Sequence, residues 1–137
     1  MLFDLIVLPL CSFGFAISLF FTLVAYNKLA PNNRFVPRWC RMDNKTCLYV
    51  VHAPQARIFG LPNSLLGMGY YPAVAAFSIR ILPVTSFIAT AISAIPVMLG
   101  IYLIYALRVQ LRTHCLLCYV AHGINTAIFL SFLLITR

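Results

Sequence analysis

The chain has 137 residues, of which 63% are apolar and only 9% charged, where a soluble domain carries about a quarter. That balance excludes an ordinary soluble fold, and the length leaves room for a single domain over residues 1–137. Ten Lys and Arg against two acids give a formal charge of +8. These cations sit in polar gaps between apolar stretches rather than in one stripe, which argues against a nucleic-acid partner and for the surface of a lipid bilayer.

The first predicted element is a membrane helix over residues 5–26. It reaches the ~20 residues that cross a ~30 Å hydrocarbon core. Asp4 stands where a secretory signal has its basic start, and no small-residue cleavage site follows, so a cleaved leader is not expected. Ser12, Gly14, Ala16 and Ser18 suit close helix packing, and Cys11 lies within the same apolar run. Residues 27–63 form the one long polar loop, which carries Cys40 and Cys47. A second helix is expected over 64–82, a tight turn near Arg80–Pro83, a third helix over 83–107, a short basic gap over 108–114, and a fourth helix over 115–136. Continuous apolar runs of this length fit helices, because barrel strands alternate and are half as long. Pro9, Pro72 and Pro96 fall inside these runs, which membrane helices tolerate. The fold class is therefore an all-α membrane protein: a four-transmembrane-helix bundle with a long polar loop between helices 1 and 2. Two crossings separate the loop 27–63 from the gap 108–114. Cys40, Cys47, Cys115 and Cys118 thus share one face of the membrane.

The chemistry centres on C-L-L-C, Cys115 to Cys118, at the start of the fourth helix. The two cysteines are three residues apart and share a helix side. Positive potential at the helix N-terminus favours a thiolate, and Arg108, Arg112 and His114 add to it. Such a pair suits disulfide exchange. The second pair, in R-W-C-R-M-D-N-K-T-C, can close a disulfide within its polar loop and shuttle electrons between a soluble partner and the helix pair. The competing reading is a non-catalytic membrane protein with a structural four-cysteine metal site, but the Cys40–Cys47 spacing is wide for a zinc knuckle. Tyr119 in place of His disfavours c-type haem attachment.

His122 and Asn125 extend the Cys115–Cys118 face by helical spacing. Polar groups at such depth usually serve a site, and His122 suits hydrogen bonding to a quinone carbonyl. Asn63 or Ser64 is expected to cap the second helix after Pro62, with the Asn63 amide able to serve a ligand. Phe59, Tyr70 and Tyr71 are expected to supply aromatic walls.

With these features the chain resembles the vitamin K epoxide reductase family. The resemblance rests on the loop pair Cys40/Cys47, the run P-N-S-L-L-G at Pro62–Gly67, and C-L-L-C before the last helix, in the family's order over nearly the whole chain. Quinone-linked oxidases of the DsbB type place C-x-x-C after their first helix, the reverse order. The resemblance implies that Cys118 reacts with the quinone, that Cys115 exchanges with the loop pair, and that Cys40 and Cys47 relay electrons to or from a thioredoxin-like protein. It also implies that Asn63 is the donor to a quinone carbonyl. The quinone is of menaquinone, ubiquinone or vitamin K type. Vertebrate members carry Tyr four residues after the second cysteine of C-x-x-C, where this chain has His122. Many bacterial members carry a fused thioredoxin-like domain. None follows to Arg137, so the expected partner is a separate protein and the chain resembles a stand-alone prokaryotic form. Eight of the ten cations fall on the cysteine face, which by the positive-inside rule lies in the cytoplasm. Most of the family faces the other way, and a cytoplasmic cysteine face resembles an inverted branch of some aerobic archaea.

Overall fold

The computed structural model describes residues 2–30, 34 and 47–136; of Leu2, Phe3, Cys47 and Leu48 only the backbone is described. Helix α1 runs Leu2–Ala25, a short α2 Cys47–His52, α3 Asn63–Ser78, α4 Ser86–Tyr105 and α5 Leu116–Thr136. Between α2 and α3 lie a 3₁₀ turn, Pro54–Ala56, and a small hairpin of β1, Arg57–Ile58, and β2, Leu61–Pro62. The segment expected as a long polar loop, 27–63, thus carries short elements over its second half. The hairpin closes through Phe59 and Gly60, both at positive φ (51° and 81°), the backbone that a two-residue turn needs to match strand twist.

Several Ser and Thr hydroxyls in the apolar helices are satisfied on their own backbone, as hydrocarbon surroundings favour. Ser12 donates to the Leu8 carbonyl, Ser78 to that of Val74, and Thr126 to that of His122, at 2.9, 3.1 and 2.9 Å. The expected second helix is shorter than read: α3 has 16 residues and rises about 24 Å. Its end is set by Arg80 at φ 60°, which turns the chain before Pro83. The other three long helices, α1, α4 and α5, are long and apolar enough to cross a membrane. Their outward faces are apolar too, with Phe87 73%, Met98 67% and Leu134 75% exposed. A surface of that kind is stable against lipid, not water, and the protein is an integral membrane protein.

Helix α1 packs on α3 and α5, and α4 packs on α5. Successive long helices alternate in direction. Thr22 near the end of α1 bonds Ser64 at the start of α3 at 3.0 Å, and Thr90 early in α4 bonds Thr136 at the end of α5 at 2.8 Å. Phe77 late in α3 packs edge-on against Phe132 late in α5, centroids 5.4 Å apart. One end of the bundle therefore gathers the α1 C-terminus, the hairpin, the α3 N-terminus, the end of α4 and the start of α5. Val24, Ile128 and Phe132 are fully buried in the core.

Candidate functional site

Helix α4 does not stop cleanly. Its end widens into a π turn over Ala106–Gln110, where the Leu111 amide reaches back five residues to the Ala106 carbonyl at 2.9 Å. Arg112 then takes φ 48°, and the Thr113 amide donates to the Leu107 carbonyl at 3.0 Å. This reversal sets Cys115 immediately before α5, with its carbonyl accepting the Tyr119 amide at 3.2 Å. Tyr119 ties the turn to the helix. Its hydroxyl accepts from Arg108 Nε at 3.4 Å and shares a hydrogen bond with His114 Nδ1 at 3.2 Å, and the guanidinium stacks 5.6 Å from its ring centre.

The Sγ atoms of Cys115 and Cys118 lie 2.7 Å apart. Cys115 is fully buried, whereas Cys118 is half-buried and borders a cavity of about 350 Å³. That volume is in the range of small-molecule sites. Its walls come from both helix pairs: Ile17, Ser18 and Phe21 of α1, Asn63, Ser64, Gly67 and Tyr70 among others of α3, Ile92, Ile95, Leu99 and Leu103 among others of α4, and Cys118, His122 and Asn125 of α5. Val50 and Val51 of α2 close the cysteine end. Leu66, Ile92 and Ile95 line the cavity yet are 47%, 49% and 65% exposed, so it opens sideways between α3 and α4.

The structure brings six of the sequence-predicted site residues to this one cavity: Cys118, Asn63, His122, Asn125, Tyr70 and Tyr71. Asn63 is the first residue of α3 rather than its cap; Pro62 holds the cap position and makes no side-chain bond there. A proline has no side-chain acceptor, so the capping expected of Asn63 is absent and its amide is left at the cavity wall. Phe59 is corrected. It sits at the hairpin tip, fully exposed, and forms no wall of the cavity, because the two-residue turn directs its ring away from the bundle. Cys40 lies outside the described residues, and Cys47 is seen as the first backbone position of α2. Among the described residues no three metal-binding side chains cluster. Cys11 is buried on α1 and does not border the cavity.

The pairings across the helix interfaces escaped sequence reasoning. Tyr71 donates to Asn125 Oδ1 at 2.8 Å, linking α3 to α5 at the cavity wall. Gly67 lies against Ser18, and Gly14 against the Tyr71 ring, with no room for a Cβ at either place. Gly100 of α4 seats the His122 ring. An isolated glycine inside an apolar helix was the available signal, since it costs about 1 kcal/mol unless packing needs it.

The cavity suits a flat, largely apolar ring. Its lining is aliphatic and aromatic, with the Asn63 amide, the His122 ring and the Ser18 and Ser64 hydroxyls as isolated polar points. The Tyr70 hydroxyl beside it is buried and has no partner among the described residues. A quinone fits that donor set. Fold and site together define a helical membrane protein with a close thiol pair, one sulfur of which borders a cavity that opens between helices. Residues 5–133 match the model of the vitamin K epoxide reductase family, and the chain belongs to that family. Membership implies quinone-linked disulfide oxidoreductase activity in general. No curated protein matches the chain.

Proposed function

We propose that the chain is a single membrane domain of four crossings that passes electron pairs between a lipid-borne quinone and a separate thioredoxin-like protein. The observation that carries this reading is that Cys118 opens onto the same cavity as Asn63 and His122. A sideways opening between α3 and α4 fits a ring that arrives from the bilayer and leaves its hydrocarbon tail there. Asn63 and His122 hold the ring's oxygens, and Tyr70 walls it. When bound, the quinone accepts or returns two electrons and two protons.

The chain's own chemistry is disulfide exchange. The loop pair Cys40–Cys47 transfers its electrons to the helix pair when a loop thiolate attacks one sulfur of a Cys115–Cys118 disulfide. A mixed disulfide forms and the other helix sulfur leaves as thiolate. The second loop thiolate then closes Cys40–Cys47 and frees both helix thiols. The burial of Cys115 leaves Cys118 as the sulfur that meets the cavity. Arg108, held by Tyr119, keeps a fixed positive charge at the rim beside the helix pair.

Titrating purified protein with a short-chain 1,4-quinone tests the site. Asn63→Ala is expected to weaken binding roughly 2- to 12-fold, the worth of one neutral hydrogen bond. Unchanged affinity would put the ring elsewhere.

For orientation we propose that the cysteine end faces the cytoplasm. By sequence, eight of the ten cations fall in the segments of that end; among the described residues Lys28, Arg57, Arg108 and Arg112 are exposed there, against Arg80 at the other. A membrane-impermeant maleimide added to intact cells is expected to leave reduced Cys40 and Cys47 unlabelled until the membrane is opened. Prompt labelling from outside would reverse the topology.

A further inference from the structure

His122 meets α4 at a glycine. A Cβ on Gly100 would stand 2.8 Å from His122 Nδ1 and 3.2 Å from its Cγ, closer than packed atoms allow, so the ring lies directly on the α4 backbone. Nδ1 is buried there and has no hydrogen-bond partner among the described residues. A neutral imidazole carries its proton on one nitrogen only, and the surroundings decide which. A proton on Nδ1 would be an unmet N–H sealed against a helix. A bare Nδ1 leaves only a lone pair unmet. Orphaned buried N–H groups are the rarer and more costly of the two.

Asn125, three residues on along α5, also borders the cavity. Its Oδ1 accepts from the Tyr71 hydroxyl at 2.8 Å, which fixes the amide and leaves its NH₂ group to donate and one oxygen lone pair to accept.

We infer that Gly100 fixes His122 as its Nε2–H tautomer, so that His122 meets a ring in the cavity as a donor and favours the oxidised ring with its carbonyl oxygens over the reduced diol. The ligand half of this inference rests on the quinone reading of the cavity; the tautomer half does not. Gly100 is a positioning residue here, acting through His122. A carbonyl oxygen accepts from His122 Nε2–H. A diol's own O–H finds no acceptor on His122, whose one lone pair, at Nδ1, is turned to α4.

Two measurements test this. The chain has three histidines, so protein labelled with ¹⁵N-histidine gives three ring patterns in a two-bond nitrogen–proton correlation spectrum, and the one lost in His122→Gln belongs to His122. The expected pattern is Nε2–H; an Nδ1–H pattern overturns the proposal. The purified chain is then titrated with a short-chain 1,4-quinone and, anaerobically, with its hydroquinone. The wild type is expected to prefer the quinone by roughly 2- to 12-fold. His122→Gln, which sets an amide donor near the Nε2 position, keeps that preference. His122→Asn, whose amide reaches only the Nδ1 position, loses it. Equal binding of the two forms by the wild type overturns the donor role of His122 while leaving the quinone site standing. Binding of neither form removes the quinone reading itself.

Discussion

Cys118→Ala is expected to reduce quinone-linked thiol oxidation to background while the protein still inserts and folds. The substitution removes the one C-L-L-C sulfur that borders the cavity and leaves its fully buried neighbour Cys115 in place. Alanine is smaller than cysteine and adds no clash at a half-buried position. Cys40→Ala and Cys47→Ala are expected to fail differently. They should lose exchange with a thioredoxin-like protein yet keep quinone turnover driven by dithiothreitol, which is small enough to reach the helix pair without the relay. Anaerobic assays of quinone reduction with each electron donor separate the two patterns. Loop variants that serve the protein donor as well as wild type would remove the relay from the mechanism.

Gly14→Ala is expected to loosen the joint between α1 and α3 on which the cavity is built. A Cβ at Gly14 would collide with the Tyr71 ring and stand 2.9 Å from its hydroxyl. The ring has little freedom to yield. It is 3% exposed, packs edge-on against Tyr70 with centroids 5.3 Å apart, and is bonded through its hydroxyl to Asn125. Overpacking of this kind costs about 1–3 kcal/mol, and displacing the ring adds about 0.5–1.5 kcal/mol for the Tyr71–Asn125 bond. Gly69→Ala is the matched control on α3, since an added Cβ there meets nothing within 4 Å. Thermal unfolding in detergent should show a lowered midpoint for Gly14→Ala and none for Gly69→Ala. Equal midpoints would mean that α1 and α3 are not locked at this point.

Much of this was legible in the sequence because lipid imposes a simple rule. A backbone without water must bond to itself, so apolar runs of about 20 residues announce helices whatever they pack against. Cys115 and Cys118 announced themselves by spacing, and the faces of α3 and α5 that carry Asn63, Tyr70, His122 and Asn125 follow from the 3.6-residue period. What the period does not carry is the partner across each interface. Whether Asn63 caps its helix or faces the cavity depended on Pro62 taking the cap position. Phe59 reads as an aromatic wall until a turn of positive φ at Phe59 and Gly60 sends its ring outward. The seat of His122 depended on Gly100 arriving from another helix at the right height. Helix identity is set by local hydrogen bonding and the solvent that the chain meets, so composition and spacing determined it. The cavity is a space left between four separately legible surfaces, and only their docking, fixed by small residues and a few cross-helix bonds, decided which side chains face it.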